Sequence, residues 1–130
     1  MQQEEALNTI VHSLLEEQAL VGDPDWDSFA VIVSITPEVS EMTAYRYAGD
    51  GPGKPTPVRA TGFQQFRDLQ AATTGPDGET WEVCIVKVER DTKRGSVNFV
   101  YSPEAELWQV TPESAQRIAE NARPRRADFA

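Results

Sequence analysis

The chain is predicted to fold as an α+β domain, with helices packed on an antiparallel sheet of about four to five strands in the order α-β-β-α-β-β-α. Three observations predict it. An amphipathic helical repeat opens the chain, two pairs of alternating apolar runs are each joined by a short polar turn, and helical spacing returns between and after the pairs. Strands and helices do not alternate one by one, as a doubly wound parallel sheet would require. Helices on an antiparallel sheet are therefore the natural packing.

Each element has its own signal. Leu7, Ile10, Val11, Leu14 and Leu15 recur at helical spacing and predict a helix over about residues 3 to 20, with Glu4, Glu5, Glu16 and Glu17 on its other face and Gly22 and Pro24 ending it. Phe29, Val31, Val33 and Ile35 then share one face of a strand, while Ala30 and Ile32 make the other face partly apolar. A turn at Thr36-Pro37-Glu38 leads to a second strand over 42 to 47, in which Tyr45 and Tyr47 project to the same side. Residues 48 to 57 are rich in glycine and proline and are expected to form a mobile surface loop, with a short strand possible at 58 to 61.

Phe63, Phe66 and Leu69 lie at helical spacing and predict a helix that ends near Gly75. Trp81 to Val88 reads as a long strand with both faces apolar. The charged turn Asp91 to Gly95 joins it to a partner strand carrying Val97, Phe99 and Tyr101 on one face. Thr111-Pro112 reads as an N-cap followed by proline at the first helical position, and Ala115, Ile118, Ala119 and Ala122 form the buried stripe of a last helix. Residues 1 to 123 are thus expected to form a single domain, followed by a flexible tail over 124 to 130.

The charge is distributed unevenly. The net charge is −9, and the first fifty residues carry all of it: ten acidic side chains stand there against Arg46, whereas eleven acids and eleven bases balance over the rest. A region this acidic attracts basic proteins and repels nucleic acid and anionic membrane. With hydrophobic residues at 39% and charged ones at 25%, the chain has the composition of a folded soluble domain. The start is acidic with no long apolar run behind it, so no secretory signal or membrane span is expected. Cys84 is the only cysteine and sits in an apolar run, which reads as a buried thiol and accords with a cytoplasmic protein.

Motifs that would carry chemistry fail on spacing. Asp23-Pro-Asp25-Trp-Asp27 opens like a calcium loop, but Ser28 stands where the turn needs glycine and Ser34 where a bidentate glutamate is needed. Trp26 reads there as an anchor. Gly49 to Lys54 is one residue short of a phosphate loop, and Pro55 replaces the hydroxyl residue that would hold magnesium. His12 is the only histidine, too few with Cys84 for a zinc cluster. A Cys84–His12 dyad lacks any local catalytic signature, and the adjacent pairs Glu4/Glu5 and Glu16/Glu17 diverge on a helix. The reading is a non-enzyme with no cofactor and no metal.

The ordered pattern resembles the YezG-like bacterial immunity proteins. The resemblance runs through the acidic N-terminal helix, Asp25-Trp26 before the first strand, Glu41 to Tyr47 with its aromatic pair, Phe63 to Leu69, Trp81 opening a strand, and Val97-x-Phe99-x-Tyr101. It spans roughly residues 4 to 101 and implies a small cytoplasmic antitoxin that binds a toxin domain, often a nuclease, and blocks it without chemistry.

The charge pattern fits that implication independently, because a nuclease presents a basic cleft that an acidic surface can fill. The candidate partner-binding residues are Asp23, Asp25, Asp27, Glu38 and Glu41, with Tyr45 and Tyr47 as exposed aromatic anchors. Either a monomer or a homodimer is compatible with the sequence. The alternative is an acidic secretion chaperone, a dimer that holds an extended effector segment.

Overall fold

The computed structural model describes residues 8–10, 12, 26–36, 40–49, 51–56, 63–90, 92, 94–102, 104–109 and 111–125. It is an α+β fold built on one five-stranded antiparallel sheet. The strands are β1 (Ser28–Ile35), β2 (Ser40–Tyr47), β3 (Lys54–Thr56), β4 (Val83–Glu89) and β5 (Gly95–Val100), in the spatial order β3-β2-β1-β4-β5. Helix α1 (Phe63–Thr73) crosses between β3 and β4. A 3-10 turn (Glu104–Trp108) and helix α2 (Ala115–Asn121) follow β5. Among the described residues, no helix is long and apolar enough to cross a membrane.

Strand alternation sorts the core into two layers. Phe29, Val31, Val33 and Ile35 of β1 face the same side as Cys84, Val86 and Val88 of β4 and pack with Ile10, Trp26, Phe66, Leu69 and Trp81. Ala30 and Ile32 face the opposite side with Tyr45, Tyr47, Val83 and Ile85, beneath Ala105, Ile118, Ala119 and Ala122. The apolar residues on both sides of β1 and β4 are explained by this double cover, since both strands are central and paired on each edge. Trp81 lies flat on Phe99, with ring centroids 5.4 Å apart, and its indole N–H donates to Thr73 Oγ1 at 2.9 Å. Trp26 is the buried anchor expected of it, packed against Phe29 with the Arg90 guanidinium over its ring.

Three expectations change. Residues 48 to 56, where described, are not loop throughout: Gly49 and Gly51 are tied by hydrogen bonds, and Lys54–Thr56 pairs with β2 as an edge strand. The edge position admits Pro55, whose missing N–H would break a central ladder. The last helix begins later than Thr111. Thr111 and Ser114 bond to each other through backbone and hydroxyl groups, and the regular helix starts at Ala115. Most of the predicted N-terminal helix, the possible strand at 58 to 61 and most of the tail lie outside the described residues; 8–10 and 12 are helical, and Ile10 is fully buried.

Candidate functional site

The two ends of the sheet differ in chemistry. Where β1 begins, β2 ends and β4 ends, basic residues gather: Arg46 and Lys54 are register partners, and Arg90, Arg94 and Arg123 adjoin the same end. This corner is tightly bonded. Asp27 N–H donates to Tyr47 O at 2.7 Å, and the Asp27 carboxylate accepts from Gly49 N–H at 2.7 Å. Arg123 donates to the carbonyls of Gly49 and Gly51, pairs with Glu120 at 2.6 Å, and lies 4.9 Å from the Tyr47 ring centre. The Tyr47 hydroxyl donates to Ala119 O at 2.6 Å. A side chain at Gly53 would put its Cβ 2.8 Å from the Tyr47 ring and 2.9 Å from Ala119 Cβ, so glycine is what lets the loop lie against α2.

At the opposite end the sheet opens into a cleft of about 990 Å³. Ile35, Thr36 and Ser40 form one wall, Arg67 and Gln70 of α1 another, and Glu79, Thr80, Glu82, Tyr101 and Ser102 the rest. The local sequence builds it rigidly. In Gly75-Pro76-Asp77-Gly78 the Gly78 N–H closes a β-turn on Gly75 O, Gly78 takes a positive φ of 83°, and the Asp77 carboxylate accepts from Glu79 N–H at 3.0 Å. Glu82 is fixed through its backbone, which donates to Val100 O and accepts from Ile35 N–H. Gln70 Nε2 spans the two strand ends, donating to Ile35 O at 3.1 Å and Trp81 O at 2.7 Å. Arg67 donates to Ser40 Oγ at 3.2 Å.

The polar groups of this cleft are only partly used. Among the described residues, neither the Glu79 nor the Glu82 carboxylate has an ion-pair or hydrogen-bond partner. Thr80 Oγ1 is screened from solvent and likewise has none. Thr80 Oγ1 is out of reach of the cleft's solvent, so among the described residues the two carboxylates are the groups there open to positive charge.

The residues proposed from sequence are scattered. Asp27 is exposed, but its carboxylate serves the Gly49 turn. Glu41 is exposed and pairs in register with Ser34, placing it roughly 20 Å along the strands from Asp27. The acids of the first hairpin therefore do not form one patch through Asp27 and Glu41. Tyr45 and Tyr47 are not exposed anchors: they are 1% and 2% exposed, because α2 covers the face to which both point. Asp23, Asp25 and Glu38 lie outside the described residues. Arg67, Glu79, Thr80 and Glu82 carry no sequence motif, and Tyr101 is legible only as part of the Val97-x-Phe99-x-Tyr101 strand pattern. The turn composition of 75 to 78 is the one local signal for the first four.

Cys84 is fully buried between central strands, and burial pushes its thiol well above the ordinary range, so it stays protonated and unreactive. Comparison with known proteins yielded no match to a family profile and none to an individual characterised protein.

Proposed function

We propose that this chain is a protein-binding module of the immunity type, an antitoxin that docks on a basic surface of a bacterial toxin domain and neutralises it by occlusion. The supporting observation is the distribution of charge along the sheet. Glu41, Glu79 and Glu82 lie at the concave end with Arg67, and the two glutamates of the cleft have unused carboxylates, while Arg46, Lys54, Arg90, Arg94 and Arg123 lie at the other end among Asp27, Glu89 and Glu120, where many of the groups are consumed in internal bonds. A concave acidic surface complements the basic cleft by which a nuclease holds phosphates. Catalysis by Cys84 is disfavoured by its protonated, buried thiol.

The test is co-expression with a candidate toxin, combined with titration calorimetry of the purified pair. Neutralisation should accompany a one-to-one complex that weakens steeply with salt, and Glu41→Lys with Glu79→Lys and Glu82→Lys should weaken it further. A stable dimer that binds an unfolded segment independently of salt would replace this reading with the secretion-chaperone one.

A further inference from the structure

We infer that the outer edge of β5 is a self-association surface, on which a second copy of this chain pairs antiparallel and doubles the five-stranded sheet. The inference is independent of the docking reading, since pairing of the chain with itself needs no toxin.

The two edges of the sheet are unlike. β3 closes one edge with three residues, and two of them are Lys54 and Pro55, a charge and a missing N–H donor that both discourage further pairing. β5 closes the other edge with the six residues Gly-Ser-Val-Asn-Phe-Val, which include neither a charge nor a proline. An edge of that kind is a template for another strand.

The parity of the β4–β5 ladder shows which groups β5 offers. Glu89 N–H donates to Arg94 O at 2.9 Å, and the next register pair is Val88 with Gly95. Bonded and non-bonded pairs alternate, so Ser96, Asn98 and Val100 bond to β4. Val97 and Phe99 therefore direct their N–H and C=O groups outward, and no backbone hydrogen bond from another described residue reaches them. Their side chains are half-buried against the Trp81 layer, where Phe99 is stacked. The edge is thus already ordered, and pairing adds little entropic cost.

Charge selects a second copy as the occupant. Lys93 and Arg94 precede the strand, and Glu104 and Glu106 follow it, so opposite charges flank a neutral centre. An antiparallel copy brings the basic start of one strand to the acidic end of the other, twice over. A parallel copy would set like charges side by side. With the two-fold axis at Asn98, Val97 stands opposite the second copy's Phe99 and Phe99 opposite its Val97. Their outward backbone groups then bond reciprocally, and each side-chain pair is β-branched against aromatic. Asn98 is exposed and meets its own counterpart in a non-bonded pair, with Cα atoms roughly 4.5 Å apart. Two amides at that distance can each donate and accept.

The experiment is sedimentation velocity of the full chain from ~2 to ~500 μM, a range suited to the modest affinity of a short edge. The mass should rise from 14.4 kDa toward twice that value. Asn98→Lys and Asn98→Asp each put like charges across the axis, and each variant alone should stay monomeric with the amide dispersion of the wild type. Mixed in equal amounts, the two variants should restore the dimer. Hydrogen exchange at the Val97 and Phe99 amides of the wild type should slow several-fold as concentration rises. A chain that is monomeric throughout the range, or a dimer that survives Asn98→Lys, would overturn the inference. So would a monomer whose Val97 and Phe99 amides are protected only by a cognate toxin domain, because the edge would then belong to that partner.

Discussion

The two ends of the sheet use the same residue types for opposite purposes. At the corner of Asp27, Tyr47, Gly53 and Arg123, carboxylate, hydroxyl and guanidinium groups are spent on one another and on backbone carbonyls. At the cleft, the Glu79 carboxylate beside the Gly75–Gly78 turn and the Glu82 carboxylate at the mouth of β4 have no internal partner among the described residues. An acidic residue is thus not informative about binding by its charge alone. Asp27 and Glu79 are both exposed, yet the Asp27 carboxylate already closes a turn.

The largest effect that would break this contrast lies in the scaffold of the cleft. Trp81→Ala removes a fully buried ring that stacks on Phe99 and bonds to Thr73, and should cost about 3–5 kcal/mol by chemical denaturation. Retention of near wild-type stability would mean that the Trp81 layer does not support the strand ends around the cleft.

At the bonded corner, Gly53→Ala should cost about 1–3 kcal/mol, because its methyl meets the Tyr47 ring and Ala119 at distances that real contacts avoid. A neutral result would show that the loop lifts off α2 freely.

Tyr47→Phe should cost about 1–2 kcal/mol, since it removes the donor to Ala119 O in a buried setting. The same tyrosine sets a pH response. Burial pushes the Tyr47 hydroxyl well above its ordinary value, and raises Tyr45 and Cys84 for the same reason. The folded state then holds protons that the unfolded chain releases, so stability is full below the unfolded values and falls as pH rises. The fall begins near ~8.5 for the thiol and steepens above ~10 for the tyrosines. Thermal unfolding followed from pH 8 to 11 should show it, with a shallower decline above pH ~10 in Tyr47→Phe.

The smallest expected stability change is at the cleft. Glu79→Gln with Glu82→Gln should alter unfolding free energy by no more than about 0.5 kcal/mol, because neither carboxylate serves the fold. A larger loss would place these side chains in the scaffold and erase the contrast between the ends.

How much of this was legible in the sequence depends on the range of the determining contacts. Period-two alternation predicted the β1–β2 and β4–β5 pairs and the inward faces of β1 and β4, since side-chain direction in a strand is local. It also put Tyr45 and Tyr47 on one side, but which side α2 covers is a tertiary fact, and that decided their burial. The strand at Lys54–Thr56 was hidden because its pairing with β2 compensates for a sequence that reads as loop.

The charge asymmetry was counted along the chain, whereas the sheet distributes charges from distant segments between its two ends. Antiparallel reversal brings Glu41, Glu79 and Glu82, forty-odd residues apart at their extremes, to one end and carries Asp27 to the other. No window of sequence contains that information.

The contrast between the ends is tested most directly by paired charge reversal against a cognate basic toxin domain, with dissociation constants measured at low salt. Glu79→Lys with Glu82→Lys should weaken binding at least tenfold, about 1.4 kcal/mol, while Arg46→Glu with Lys54→Glu should change it no more than about twofold. Equal losses at both ends, or a loss confined to the Arg46 and Lys54 end, would contradict the assignment of docking to the acidic cleft.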